Sequence, residues 1–282
     1  MNQSFDFGRW WLLVKKHWYE NQRKYTLSLL AIAGLLLAWF AFVIFLNPYE
    51  PIDFSMQFGT YYFGLMIVGC LYASLLFGDL ASSSKGINYL SVPASHLEKL
   101  LCALLYGVVI FFVAYTVLFY IVELPMIKIS NAVAHAHWSK PLYKSGSFHE
   151  SEVISVFDMP HRPAGVPNVF FYFLLAYFAL QAAFILGSVY FPKYSFIKTV
   201  ISLTLACAFL GFLVGQLFHS MMPSGNFYHG ITSYNFFTND DTNGKIVQLP
   251  EWIDSAGAFF IRYTFAPIFW ITTYFRLKEK EI

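Results

Sequence analysis

The sequence predicts an all-α integral membrane protein with six transmembrane helices, an N-terminal amphipathic helix and both termini in the cytoplasm. Three observations carry this. First, only 12% of the 282 residues are charged and 57% are hydrophobic, with a mean hydropathy of +0.54. A soluble domain is roughly a quarter charged, so lipid must cover much of this surface. Second, the apolar residues fall in continuous runs of about the length that crosses hydrocarbon as a helix. Unbroken runs rule out the alternation of a membrane barrel, the other backbone arrangement that lipid tolerates. Third, Lys and Arg gather in alternate connections, the pattern of a chain with one basic, cytoplasmic side.

The elements follow in order. Residues 1–25 form a cytoplasmic segment. Within it, Trp10, Trp11, Val14 and Trp18 recur at roughly helical spacing among Arg9, Lys15, Lys16 and Arg23. That pattern suits a helix lying on the membrane face, and equally an aromatic anchor for the first span. Residues 26–282 form the transmembrane domain, with spans at 26–46, 57–79, 99–122, 168–191, 196–219 and 255–275. The connection 47–56 has Glu50 and Asp53 but no basic residue, whereas Lys85, Lys99, Lys193 and Lys198 flank the two connections on the other side. The tail adds Arg276, Lys278 and Lys280 on that same side. Long outer loops are expected at about 124–167 and 220–254. Tyr and Trp suit the headgroup layer, where a ring can be half apolar and half wet.

The connection between the second and third spans is the most structured cytoplasmic piece. Asp79 ends a span, and Ser82, Ser83, Ser84 and Gly86 break the helix. Ser95-His96-Leu97-Glu98 then reads as a capping box, in which hydroxyl and carboxylate each accept from the other residue's amide. Pro93 stops any helix entering from upstream. From His96 to Val122 the helix would be roughly 40 Å long, so its first turn stands outside the hydrocarbon.

These segments resemble a known family. FGRWWLLVKKHWYENQRK resembles the amphipathic connecting helix, LSVPASHLEKLLCALLYG the LPAS-x-x-EK stretch, and ITTYFRLKEKEI the basic-acidic tail of membrane permease subunits of ABC transporters, type-2 exporter class. The resemblance implies a permease in a bacterial inner membrane, paired with a second copy or a related permease over cytoplasmic ATP-binding subunits. It implies that the connection at about 82–99 docks on the ATPase, with Lys85, Ser95, His96, Glu98 and Lys99 at the contact. The chain has no GxxxxGK[ST] phosphate loop, so ATP hydrolysis is expected on a partner rather than here. No cofactor is expected. Lipid, glycan, peptide and drug all remain open as cargo.

Inside the spans, Gln181 is expected to make an interhelical hydrogen bond or to touch substrate. Arg262 is expected to snorkel outward, to pair with Glu123 or Asp254, or to line the path. Pro267 should kink the last span. Cys70, Cys102 and Cys207 lie in apolar runs without CxxC spacing, so they read as small hydrophobes. His135-x-His137 would share one face of a strand, but convergent metal ligands are lacking, so no metal is expected. A net charge of +2 argues against nucleic acid. HExxH and GxSxG are absent and His219 and Asp79 lie at opposite faces, which disfavours an intramembrane enzyme. A non-transporting scaffold or sensor subunit is the other alternative.

Overall fold

A computed structural model describes residues 5–81, 83–138, 149–157, 169–191, 193–221, 256, 259–260 and 262–280. The described residues are helical or irregular, with no strand among them. Helix α1 spans Phe7–Leu46, α2 Phe54–Leu75 and α3 Ser83–Leu90. A 3-10 turn, Gly78–Ala81, lies between α2 and α3. Helix α4, His96–Leu104, passes through a π-helical stretch, Leu105–Ile110, into α5, Phe111–Trp138. The rest are α6 Val169–Tyr190, α7 Ser195–Met221 and α8 Phe265–Glu279. Five helices among the described residues are long and apolar enough to cross a membrane: Phe7–Leu46, Phe54–Leu75, His96–His137, Phe170–Tyr190 and Ser195–Leu213. By helix length and composition the chain is a multi-pass membrane protein.

Caps set the helix starts. Asp6 accepts from the amides of Gly8 and Arg9 at 2.7 and 3.2 Å, and Asp53 from that of Met56 at 3.1 Å. Each carboxylate satisfies donors that the first helical turn leaves without partners.

Residues 7–25 are helical, and their helix continues without a break into the first span, giving 40 residues or about 60 Å. Trp10 and Val14 turn inward against Cys102 and Tyr106, while Trp11 and Trp18 are exposed. The stretch expected to open an outer loop at 124 is helical through Trp138, despite Pro125. His135 and His137 are therefore helical neighbours, not strand neighbours, and point in different directions; His137 Nδ1 lies 2.9 Å from the Val133 carbonyl. The sixth expected span, 255–275, is described only in parts. Its helix is interrupted at Thr264, three residues before Pro267, which cannot donate to the Tyr263 carbonyl.

The core is aromatic. Phe40, Tyr61, Phe77, Tyr115, Phe119 and Tyr177 are almost fully buried. The hydroxyls of Tyr61, Tyr115 and Tyr177 each find an internal partner. Tyr61 pairs with Thr116 Oγ1 at 2.8 Å. Tyr115 donates to the Tyr61 carbonyl at 3.1 Å, and Tyr177 to the Val108 carbonyl at 3.0 Å. Val108 belongs to the π-helical stretch, where the altered turn gives a side chain access to a main-chain carbonyl. Helix α6 packs against α2, α7 and α8, and α1 runs along α4 and α5. Helix α7 meets the bundle at its start, where Phe196 stacks on Phe184 at 5.4 Å and Thr199 lies against Gly187. Most of its remaining length is exposed, including Cys207, in contrast to buried Cys70 and Cys102.

Candidate functional site

The elbow between α2 and α4 is built around one carboxylate. Ser95 Oγ accepts from the Glu98 amide at 3.2 Å, and Glu98 Oε2 accepts from the Ser95 amide at 2.8 Å. The predicted capping box is therefore present. The other oxygen, Oε1, reaches the N-terminus of α1. It accepts from the Asp6 amide at 2.8 Å and from Arg9 Nη2 at 2.9 Å. Glu98 is fully buried, while the Arg9 side chain is 38% exposed. Two helix starts are thus locked together: Asp6 caps α1, Ser95 caps α4, and Glu98 takes the backbone amide of each cap. Sequence reasoning found the box but not its second half. The signal was Asp6 standing just before Phe7-Gly8-Arg9, an N-cap with a basic residue nearby.

The other elbow residues surround this joint. Lys99 is buried with its ammonium 5.7 Å from the centre of the Tyr89 ring on α3. Charge over an aromatic face is attractive, most of all where water is excluded. The His96 ring meets Tyr274 of α8 edge-on at 6.4 Å, which brings the last helix back to the elbow. Lys85 lies within α3. Nearby, Lys280 at the end of α8 donates to the Val189 carbonyl of α6 at 2.6 Å, a cation at a helix C-terminus as the helix dipole favours. A cavity of about 200 Å³ opens between α1, α3 and the start of α4, lined by Lys16, His17, Glu20, Asp79, Asn88 and Lys99 among others. The structure therefore brings Ser95, His96, Glu98 and Lys99 to one end of the bundle.

Gln181 and Arg262 lie elsewhere and do not meet each other. Gln181 is fully buried, yet neither amide atom has a hydrogen-bond partner among the described residues. Among the described residues the expected interhelical bond is not formed. Gln181 packs instead against Gly69 of α2, where a side chain would collide with its nitrogen. Arg262 is exposed, with its guanidinium 5.0 Å from the centre of the Tyr172 ring. Its pairing with Glu123 is not formed: Glu123 is fully buried and both carboxylate oxygens lack a partner among the described residues. Asp254 lies outside the described residues. Among the described residues no three His, Cys, Asp or Glu side chains converge as metal ligands.

The opposite end of the bundle holds a feature that sequence reasoning missed. The irregular segment 149–157 lies between α2 and α5 as a strap, with Ile154 and Val156 buried and Ser155 and Phe157 exposed. Its main chain is held by side chains of those helices, described below. The signal in the sequence was the short alternation Val153-Ile154-Ser155-Val156 inside a polar connection.

Comparison with protein-family models, curated proteins and solved structures finds no match to this chain.

Proposed function

We propose that the chain is the permease subunit of an ATP-driven exporter, working with separate cytoplasmic ATP-binding subunits and a second permease copy or related permease. The observation that supports this best is the elbow. A short helix, α3, stands between two spans and meets α4 through Tyr89 and Lys99, and α4 is in turn joined to α1 through Glu98. A partner pushing on α3 would move two long helices as one body, because the Glu98 joint resists independent movement of their starts. That is the mechanical property a coupling segment needs: motion at one end of the bundle becomes altered access along it.

On this reading the chain has six spans, with 255–275 as the last, and both termini on the elbow side, facing the cytoplasm of a bacterial inner membrane. Lys85 and the 82–99 segment meet the ATPase. Gln181, a buried polar group inside the bundle, lies along the translocation path. ATP is cleaved on the partner, so this subunit has no catalytic residues.

The test is affinity purification from native membranes in mild detergent, with mass spectrometry of what co-purifies. A soluble subunit bearing a phosphate loop is the expected partner, and its ATPase activity should fall when Lys85 and His96 are replaced by Ala. Recovery of the chain with membrane proteins alone, or robust ATP hydrolysis by the pure chain, would end this reading.

A further inference from the structure

We infer that the groove between α2 and α5, at the end of the bundle away from the elbow, is a binding site for an extended peptide, occupied in this structure by the chain's own strap. The argument starts from how the strap is held. Asn131 clamps Ser151 from both sides, donating to its carbonyl at 2.9 Å and accepting from its amide at 3.1 Å. Gln57 is buried and does the same two residues further on. Its nitrogen donates to the Glu152 carbonyl at 3.2 Å and its oxygen accepts from the Ile154 amide at 3.3 Å. Tyr120 Oη donates to the Ile154 carbonyl at 3.3 Å and accepts from the Val156 amide at 3.0 Å. Tyr62 Oη donates to the Val156 carbonyl at 2.8 Å.

From Ser151 to Val156 the helices therefore read main-chain atoms through side-chain amides and phenols. Main-chain recognition is independent of the bound sequence; selectivity comes from the side chains that alternate inward. Here those are Ile154 and Val156, 7% and 1% exposed. The readers stand on rigid helices, two turns of α2 and three of α5, and Gln57 is itself fixed by donating to the Ile52 carbonyl at 3.2 Å. A cavity of about 440 Å³ lies beside Phe54, Gln57 and residues 151–155 of the strap, leaving room for bulkier side chains there. The ligand class is a peptide with branched aliphatic residues at alternate positions. This follows from the groove alone; that such a peptide is cargo rests on the exporter reading.

The test uses the full chain in lipid nanodiscs and a fluorescent peptide, HESEVISVF, copied from residues 149–157. The double variant Ile154→Ser, Val156→Ser loosens the strap. This variant should bind the peptide saturably, on the order of tenfold more tightly than the wild type, where the strap competes. Adding Gln57→Ala or Asn131→Ala should each weaken binding on the order of tenfold, since each removes two hydrogen bonds to the peptide main chain. A peptide with Ser at both aliphatic positions should not bind. No binding to the loosened chain, or binding indifferent to Gln57 and Asn131, overturns the proposal. Should the loosened chain fail size-exclusion, the wild type serves: excess peptide should speed hydrogen exchange at the Ile154 and Val156 amides, and unchanged exchange overturns the proposal. The two readings fail separately. An ATPase that co-purifies with a chain indifferent to peptide leaves transport standing without this ligand. Peptide binding without any ATPase leaves the groove without the transporter.

Discussion

At the scale of single residues, the buried polar groups divide by whether they find partners. Glu98 accepts from two cap amides and a guanidinium, so its burial is compensated on every side. Replacing it with Ala leaves the Ser95 and Asp6 amides without their acceptor, while Ser95 still caps the amide of residue 98. Unfolding in mixed detergent micelles should then show a loss of about 2 to 4 kcal/mol. Arg9→Ala should cost less, because the backbone bonds to Glu98 remain and the guanidinium is partly solvated. Gln181 is the contrasting case. An amide without partners among apolar neighbours costs stability, so Gln181→Leu should be neutral or stabilising by about 1 kcal/mol in the same titration. A transport defect in that variant, with stability unchanged, would argue that the amide is kept for what passes through the bundle.

At the scale of elements, the chain shows which associations are strong and which are local. Helix α7 is attached mainly at its start, where Gly187 lets Thr199 approach the α6 backbone. Gly187→Val should push the helices apart and lower stability by about 1 to 3 kcal/mol, read as lost cross-linking between cysteines placed at positions 184 and 196. Five of the spans were legible in the sequence, because hydrocarbon asks one property of every residue that faces it. The elbow was legible for a local reason: Pro93, Ser95 and Glu98 sit within a few residues of one another and their chemistry is self-contained. What could not be read depended on distant partners. The helical character of residues 124–138 was hidden by Pro125 and by polar residues such as Ser130 and Asn131. Those two serve tertiary contacts, to Ile52 at 3.0 Å and to Ser151, which no local pattern announces. The strap and the Asp6–Glu98 joint were hidden for the same reason. So was the burial of Tyr61, whose hydroxyl is answered by Thr116 on another helix.

At the scale of the whole molecule, the two ends of the bundle are chemically different. One end carries the elbow, the exit of α8 and the connection containing Lys193. The other carries the strap and the acidic 47–53 turn. Single cysteines at positions 85, 193 and 278 should react with a membrane-impermeant maleimide from one side, and a cysteine at the exposed position 155 from the other. Positions 85 and 193 reacting from opposite sides would refute an even number of spans between them. The basic residues further predict that the side of Lys85 is the cytoplasmic one, which labelling of intact cells against inverted vesicles decides.

The contact between Asp6 and Glu98 also sets an order of events during synthesis. The two residues are 92 positions apart, so α1 must enter the membrane while the group that fastens its first turn is still unmade on the ribosome. Until Glu98 emerges, the start of α1 lacks this acceptor and stays more open to proteases and chaperones. Translation past Glu98 supplies the acceptor, so the start of α1 settles only after the start of α4 has been made.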